Sequence, residues 1–433
     1  MFGINEIQII MLGKDFVKGL LKEQKEKFLI RDTGIEREVL SEAVEKLNIP
    51  HAVVISGIRR CGKSTFLAQI VKNYFQKSNF YYINFDDERW IGFEAKDFNL
   101  IYEALLEIYG EARTFFIDEI QNIKGFELFV RRFYDDGFKF FITGSNSDLL
   151  SSELGSRLTG RYVNINLYPF SFREFATLKK LQFPENKIFT TSDKAIFFKH
   201  FEEFFFSGGM PEYLIYRDDD TLKQIYHDIV IKDIAVRFNV SSLNQMRELY
   251  LYLITSSGKR FNYASLSKSS GIQSSSTIIN YISYLELTWF ASQVRKFDFS
   301  LQKSRRNEKK LYIADNGFIN LLSQSFTRDK GRLFENLVFN QLRKRAEIFY
   351  FSGKYECDFI CTTNRKVTHA FQACYDLNDT NFERETSGLL EAMRYTGLRE
   401  GYLLTLDRNE EIEINGLKIN ILPVWKWILA NLQ

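Results

Sequence analysis

The chain reads as an α/β protein: a parallel sheet around a phosphate-binding loop, then a helical segment, a helix–helix–hairpin module and a second α/β domain. Three observations predict this. An apolar run, HAVVIS, leads into the glycine-rich octapeptide GIRRCGKS at 57–64, and a helix-forming run, KSTFLAQIVKNYF, leads out. Residues 51–166 alternate strand-like and helix-like runs, the pattern of a parallel sheet covered on both faces. Beyond residue 240, short helix candidates give way to alternating strand-like runs. The expected boundaries are 1–170, 171–240, 241–320 and 321–433. With only five prolines in the chain, composition does not mark the linkers.

Taken in order, residues 14–50 read as helical and charged, amphipathic from Ile35 to Leu47, and deliver the chain to the first core strand. The octapeptide then satisfies G-x-x-x-x-G-K-[ST] in its required strand–helix context. Gly57 and Gly62 allow a tight turn, so that backbone N–H groups of Gly57, Ile58, Arg59, Arg60, Cys61, Gly62, Lys63, Ser64 and Thr65 can cradle a polyphosphate. Lys63 is placed to reach the β- and γ-phosphates, the Ser64 hydroxyl to ligate Mg²⁺, and the helix N-terminus adds positive potential. The expected ligands are therefore ATP and Mg²⁺.

Residues 115–119, FFIDE, form an apolar strand ending in two acids. A carboxylate at a strand tip can hold the water shell of Mg²⁺, and its neighbour can polarise the attacking water. Asp118 takes the first role and Glu119 the second. A third strand, KFFITGSN, ends in Ser145 and Asn146, where a polar side chain would sense the γ-phosphate. Arg157 and Arg161 precede a further strand, and an arginine there can complete a site, often that of a neighbouring subunit in a homo-oligomer. Arg161 is preferred because Gly160 leaves room beside it.

Together GIRRCGKS, FFIDEIQ, TGSN and LTGRY resemble the AAA+ superfamily of ATPases. More narrowly they are similar to an archaeal and bacterial group that carries a winged helix and a C-terminal restriction-endonuclease-like domain. The stretches LYPFSFREF and FFFSGGMPEYL extend the resemblance past the ATPase core. It implies a five-stranded parallel sheet whose phosphate-loop strand lies between the sensor strand and the acid strand. It also implies that residues 171–240, broken by Gly208, Gly209 and Pro211, form a helical lid.

MRELYLYLITSSGK, NYASLSKSSGI and SSSTIINYISYLELT are three helix candidates, followed by the alternating runs WFASQVRKFD and KKLYIADNGF. This looks like a winged helix-turn-helix. If it reads duplex DNA, Ser274, Ser275, Ser276, Thr277 and Asn280 open the groove-facing helix. Arg295, Lys296, Lys303, Arg305, Arg306, Lys309 and Lys310 would then make the hairpin a phosphate-binding patch. A protein partner is the alternative, since such modules also serve as protein contacts.

The last domain carries Glu335 on an amphipathic helix, RLFENLVFNQLRKR, and Asp358 on a strand, YECDFICTT. A helix with an acid, a strand with an aspartate and a strand with E-x-K is the metal-site layout of the restriction-endonuclease-like fold. Here Gln372 stands where the second acid belongs and Cys374 where the lysine belongs, so a degenerate nuclease domain used for binding is expected, with an ATP-dependent nuclease in DNA processing or defence as the alternative. Cys357 and Cys361, four apart in a strand, are expected on one face as small core side chains.

The net charge of +3 excludes a wholesale electrostatic grip on DNA, so any basic surface is local. Four cysteines suggest no disulfide framework, and MFGINEIQIIMLGKD has no secretory signature, so a cytoplasmic protein without a membrane span is expected. Met1 and Met11 are both candidate starts.

Overall fold

The computed structural model describes residues 13–77, 79–144, 160–183, 189–324 and 329–430, with the side chains of residues 301 and 306 outside that description. Two compact units divide the chain, Met1–Leu167 and Tyr168–Gln433. Among the described residues no helix is long and apolar enough to cross a membrane.

The first unit is a parallel sheet of five strands: β1 (Ala52–Ser56), β2 (Tyr81–Asn84), β3 (Thr114–Asp118), β4 (Lys139–Gly144) and β5 (Tyr162–Asn166). Their order is β2-β3-β4-β1-β5. The phosphate-loop strand β1 therefore lies between β4 and β5, and the acid strand β3 stands one place further out, beyond β4. This corrects the expected neighbours of β1. β3 and β4 are held by aromatic pairing in register. Phe115 stacks on Phe140 and Phe116 on Phe141, with ring centroids 5.2 and 4.7 Å apart. All five side chains of β1 are buried, as a strand covered on both faces requires.

The second unit is built around a nine-stranded mixed sheet. Its strands are β6 (Arg260–Phe261), β7 (Ala291–Lys296), β8 (Lys309–Ile313), β9 (Glu347–Ser352), β10 (Glu356–Thr363), β11 (Lys366–Ala373), β12 (Glu400–Thr405), β13 (Glu410–Ile414) and β14 (Leu417–Pro423). The order is β13-β14-β12-β11-β10-β9-β7-β8-β6. Helix Leu243–Thr255 precedes β6, helices Tyr263–Ser270 and Ser275–Leu287 lie between β6 and β7, and the strands form an antiparallel β6-β8-β7 ribbon. β7 also pairs in parallel with β9, through Arg295↔Phe349 and Lys296↔Tyr350. The expected two-stranded wing is thus one end of a sheet that continues through the last domain.

The segment after the first unit is helical, as expected. Ser171 and Glu174 of SFRE form a capping box, each side chain accepting the other's backbone N–H. Helix Thr191–Ser207 buries Phe197, Phe201, Phe204 and Phe205. The glycine pair that follows is dictated by two close approaches. A Cβ on Gly208 would stand 1.8 Å from an Asp315 carboxylate oxygen, and one on Gly209 would stand 2.2 Å from the Phe170 carbonyl. Phe170 N–H donates to the Gly209 carbonyl (2.7 Å), and Gly209 N–H donates to Asp315 (2.5 Å). LYPFSF, SGGMP and IADNG, distant in sequence, therefore meet at one point.

The bulge in β10, where register against β9 shifts between Cys357 and Ile360, breaks the period of two. Cys357 packs in the core with Leu389 and Met393, whereas Cys361 lines a cavity with His369 and Tyr402. The four-residue spacing does not put both thiols in one environment. All four cysteines are buried free thiols, and burial pushes Cys361 and Cys374 up to about 12.

Candidate functional site

The site is assembled where β1, β3 and β4 end. After Ser56 the chain turns at Gly57, where a Cβ would meet the Leu167 carbonyl at 2.1 Å, so only glycine fits. Arg60 and Gly62 both take left-handed backbone (φ 62° and 98°), folding the loop back before helix Lys63–Ile70 begins. Cys61 N–H donates to the Ile58 carbonyl (3.2 Å) and closes the turn.

Lys63 is buried at the helix start. Its ammonium donates to the carbonyls of Gly57 (3.3 Å) and Ile58 (3.4 Å) and lies 3.5 Å from Glu119 Oε1. Burial opposes its charge, but Glu119, Cys61 and Asp118 outweigh that and raise its pKa. Burial likewise opposes the charge of Glu119. Lys63, Gln121 and Arg59 prevail and hold its carboxyl below the usual range. Asp118, 2% exposed, goes the other way: burial and the neighbouring Glu119 raise its pKa against hydrogen bonds from Ser64 and Thr143.

Glu119 takes left-handed backbone (φ 51°), which swings its side chain off the strand line at the tip of β3. Thr143 of β4 organises both acids. Its hydroxyl accepts from Glu119 N–H (3.0 Å) and donates to Asp118 Oδ1. Sequence reading missed Thr143, although it begins the TGSN stretch. Arg37 was missed too; its guanidinium, buried beneath the loop, donates to the Cys61 carbonyl at 2.9 Å. No local pattern marks it, since it lies 24 residues from the carbonyl it braces.

The structure thus brings together Lys63, Ser64, Asp118 and Glu119. Asn146 and Arg157 lie outside the described residues. Arg161 is described and sits at the opposite end of the sheet, because the first residue of β5 pairs with the first of β1 (Tyr162↔Ala52). Its half-exposed guanidinium pairs with Asp135 at 2.8 Å, so within one chain it does not join Lys63.

In the second unit Ser275, Ser276 and Asn280 are exposed and Thr277 is half-buried along the start of helix Ser275–Leu287. Lys303 and Arg305 are exposed, and the Arg306 side chain lies outside the described residues. Lys310 is not part of a surface patch: it is 2% exposed and faces Glu335, Glu356 and Asp358. Gln372 is tied to protein partners at both ends of its amide. Its carbonyl oxygen accepts Asp358 N–H (3.2 Å) and its amide donates to Glu385 (2.7 Å).

A family model described as an AAA domain matches residues 50–176, and one described as a domain of unknown function (DUF8612) matches residues 198–329. A Methanocaldococcus jannaschii protein, MJ1544, described as uncharacterized, is 33% identical to this chain, covering 99% of it and 100% of its own length. The chain belongs to that protein's family. An uncharacterized Haemophilus influenzae protein is 28% identical over 91% of this chain and 98% of its own. Among solved structures, the Thermotoga maritima RuvB Holliday junction branch migration motor is 19% identical over 63% of this chain and 88% of its own, with a TM-score of 0.28. AMPPCP-bound DnaA from Aquifex aeolicus is 16% identical over 57% and 86%, with a TM-score of 0.26. The AAA match spans all four residues that the first unit gathers at its strand ends, so this chain carries a P-loop AAA+ domain.

Proposed function

We propose that the chain is a Mg²⁺-dependent ATPase whose hydrolysis sets the state of a DNA-holding C-terminal unit. The observation that carries the reading is the meeting of Lys63, Ser64, Asp118 and Glu119, organised by Thr143, beside a loop that only glycine can turn. Loop N–H groups and the helix N-terminus hold the polyphosphate, and Lys63 balances charge that spreads over the transferring phosphoryl group. The Ser64 hydroxyl and the Asp118 carboxylate, already hydrogen-bonded to each other, make an oxygen donor set suited to a hard cation. Mg²⁺ bound there supplies charge neutralisation between the phosphates. Glu119, kept ionised by Lys63, Gln121 and Arg59, orients the attacking water and accepts its proton. A neighbouring subunit's Arg161, exposed at the far edge of the sheet, completes the site in an oligomer.

The three helices and the β6-β8-β7 ribbon follow the connectivity of a winged helix, which supports duplex DNA as the partner. Exposed Ser275, Ser276 and Asn280 face outward from the third helix, with Lys303 and Arg305 on the short helix Leu301–Arg306 that joins β7 to β8. Exposed Ile279, on the same helix, favours a protein partner as the second reading.

The deciding experiment is ATP hydrolysis with and without double-stranded DNA, on the parent and on Glu119→Gln. Stimulation by DNA that vanishes in the variant is expected. Hydrolysis indifferent to DNA points to the protein partner, and hydrolysis undiminished in Glu119→Gln sinks the assignment of the water-orienting residue.

A further inference from the structure

The residues of the expected metal site, Glu335 and Asp358, do come together, but around a cation the chain supplies itself. Lys310 Nζ lies 2.7 Å from Glu335 Oε1, 2.6 Å from Glu356 Oε1 and 3.3 Å from Asp358 Oδ1. An ammonium has three N–H donors, and three carboxylates surround this one. Two of the second oxygens are also engaged: Ala373 N–H donates to Asp358 Oδ2 (3.0 Å), and Arg260 Nε lies 3.1 Å from Glu356 Oε2. Tyr312 donates to the same Glu335 Oε1 that faces Lys310 (2.6 Å). A Cβ on Gly258 would stand 3.2 Å from Glu335 Oε2, so the backbone closes over that side. Lys310 comes from β8, Glu335 from helix Lys330–Leu342, and Glu356 and Asp358 from β10.

We infer that Lys310 is the resident cation of this carboxylate cluster, standing where a divalent ion would have to sit, so that the C-terminal unit engages its partner without a metal-dependent cutting site. A lysine that assists a metal leaves carboxylate oxygens for that metal; this one contacts all three acids. Gln372 is held by the protein at both ends of its amide, its oxygen accepting Asp358 N–H and its nitrogen donating to Glu385. Among the described residues no group of three or more His, Cys, Asp or Glu side chains is arranged to hold a metal ion, in keeping with an ammonium at the centre. The inference holds whether or not the first unit hydrolyses ATP.

Manganese tests it directly. The nucleotide-free full chain is titrated with Mn²⁺, and bound ion is read by electron paramagnetic resonance in the parent, Asp358→Asn, Lys310→Met and the double variant Lys310→Met/Asp358→Asn. The parent and Asp358→Asn are expected to bind alike, with Lys310→Met gaining about one ion per chain that the double variant loses again. A parent ion lost on Asp358→Asn would overturn the inference. So would a Lys310→Met that keeps its circular dichroism and gains no ion. If Lys310→Met fails to fold, the comparison of parent with Asp358→Asn decides alone.

Discussion

Two buried lysines face carboxylates in this molecule, and they do opposite things. Lys63 sits on a glycine-turned loop at a helix N-terminus. Its contacts are two carbonyls at 3.3 and 3.4 Å and one carboxylate at 3.5 Å, all long enough to be exchanged. Lys310 sits within strand β8 with carboxylates at 2.6, 2.7 and 3.3 Å from three separate residues. A lysine at the edge of a loop is poised for a ligand, and one inside a sheet is committed to the protein. Residue type and burial are the same; the backbone element and the tightness of the partners make the difference.

The comparison breaks if the two positions respond alike to mutation. Glu119→Gln, on the poised side, is expected to slow ATP hydrolysis by about 10²–10⁴-fold while leaving the melting temperature near that of the parent. Lys310→Met should do the reverse. Removing one partner of a buried ion cluster costs about 3–5 kcal/mol, which lowers Tm by roughly 10 °C in a unit of this size while ATPase activity persists. Equal Tm losses for Lys63→Ala and Lys310→Met would erase the distinction.

Asp315 sharpens it, as a buried acid with no lysine at all. Burial outweighs the N–H donors of Gly209 and Gly317 and the charge of Arg343, and raises its pKa to about 6. The folded state then holds a proton that the unfolded chain, at the ordinary value of 3.8, has released. The stability from this proton is complete below the unfolded value and is lost as pH rises through about 6. The stability of the parent should therefore fall between pH 4 and 6 by an amount on the order of 3 kcal/mol, read as a drop in Tm, and Asp315→Asn should remove that slope. A slope unchanged in the variant would assign the titration to another group.

Thr143→Val, which deletes the hydroxyl shared by the two acids, is expected to lower hydrolysis about tenfold, the worth of one good hydrogen bond. The smallest effect concerns DNA. Lys303→Ala and Arg305→Ala should each reduce the slope of log K against log salt by about 0.9. Slopes identical to the parent's would remove the hairpin from the interface.

The phosphate loop and the acid pair were legible in the sequence because each is local: eight residues, then two at a strand tip, in flanks whose periodicity is plain. What was illegible was contact at long range. Arg37, Thr143 and Lys310 carry no signal where they stand, since the groups they serve are 24, 25 and 25 or more residues away. The strand order escaped for the same reason, because β1 chooses β5 over β3 by tertiary pairing. The bulge in β10 shows a further limit: one irregular residue inverts the alternation on which the face assignment of Cys361 depended. Lys310 was counted among the surface charges, since nothing in KK distinguishes a solvated lysine from its buried neighbour.

The parallel pairing of β7 with β9 has a mechanical consequence. Because one sheet runs unbroken from β6 to β13, the end that carries β6, β7 and β8 has no sheet boundary of its own within the unit. It cannot swing, tighten or let go by itself. Any push delivered to the C-terminal unit must carry the outward helix, the hairpin and the lysine-filled cluster together, as a beam carries both its ends.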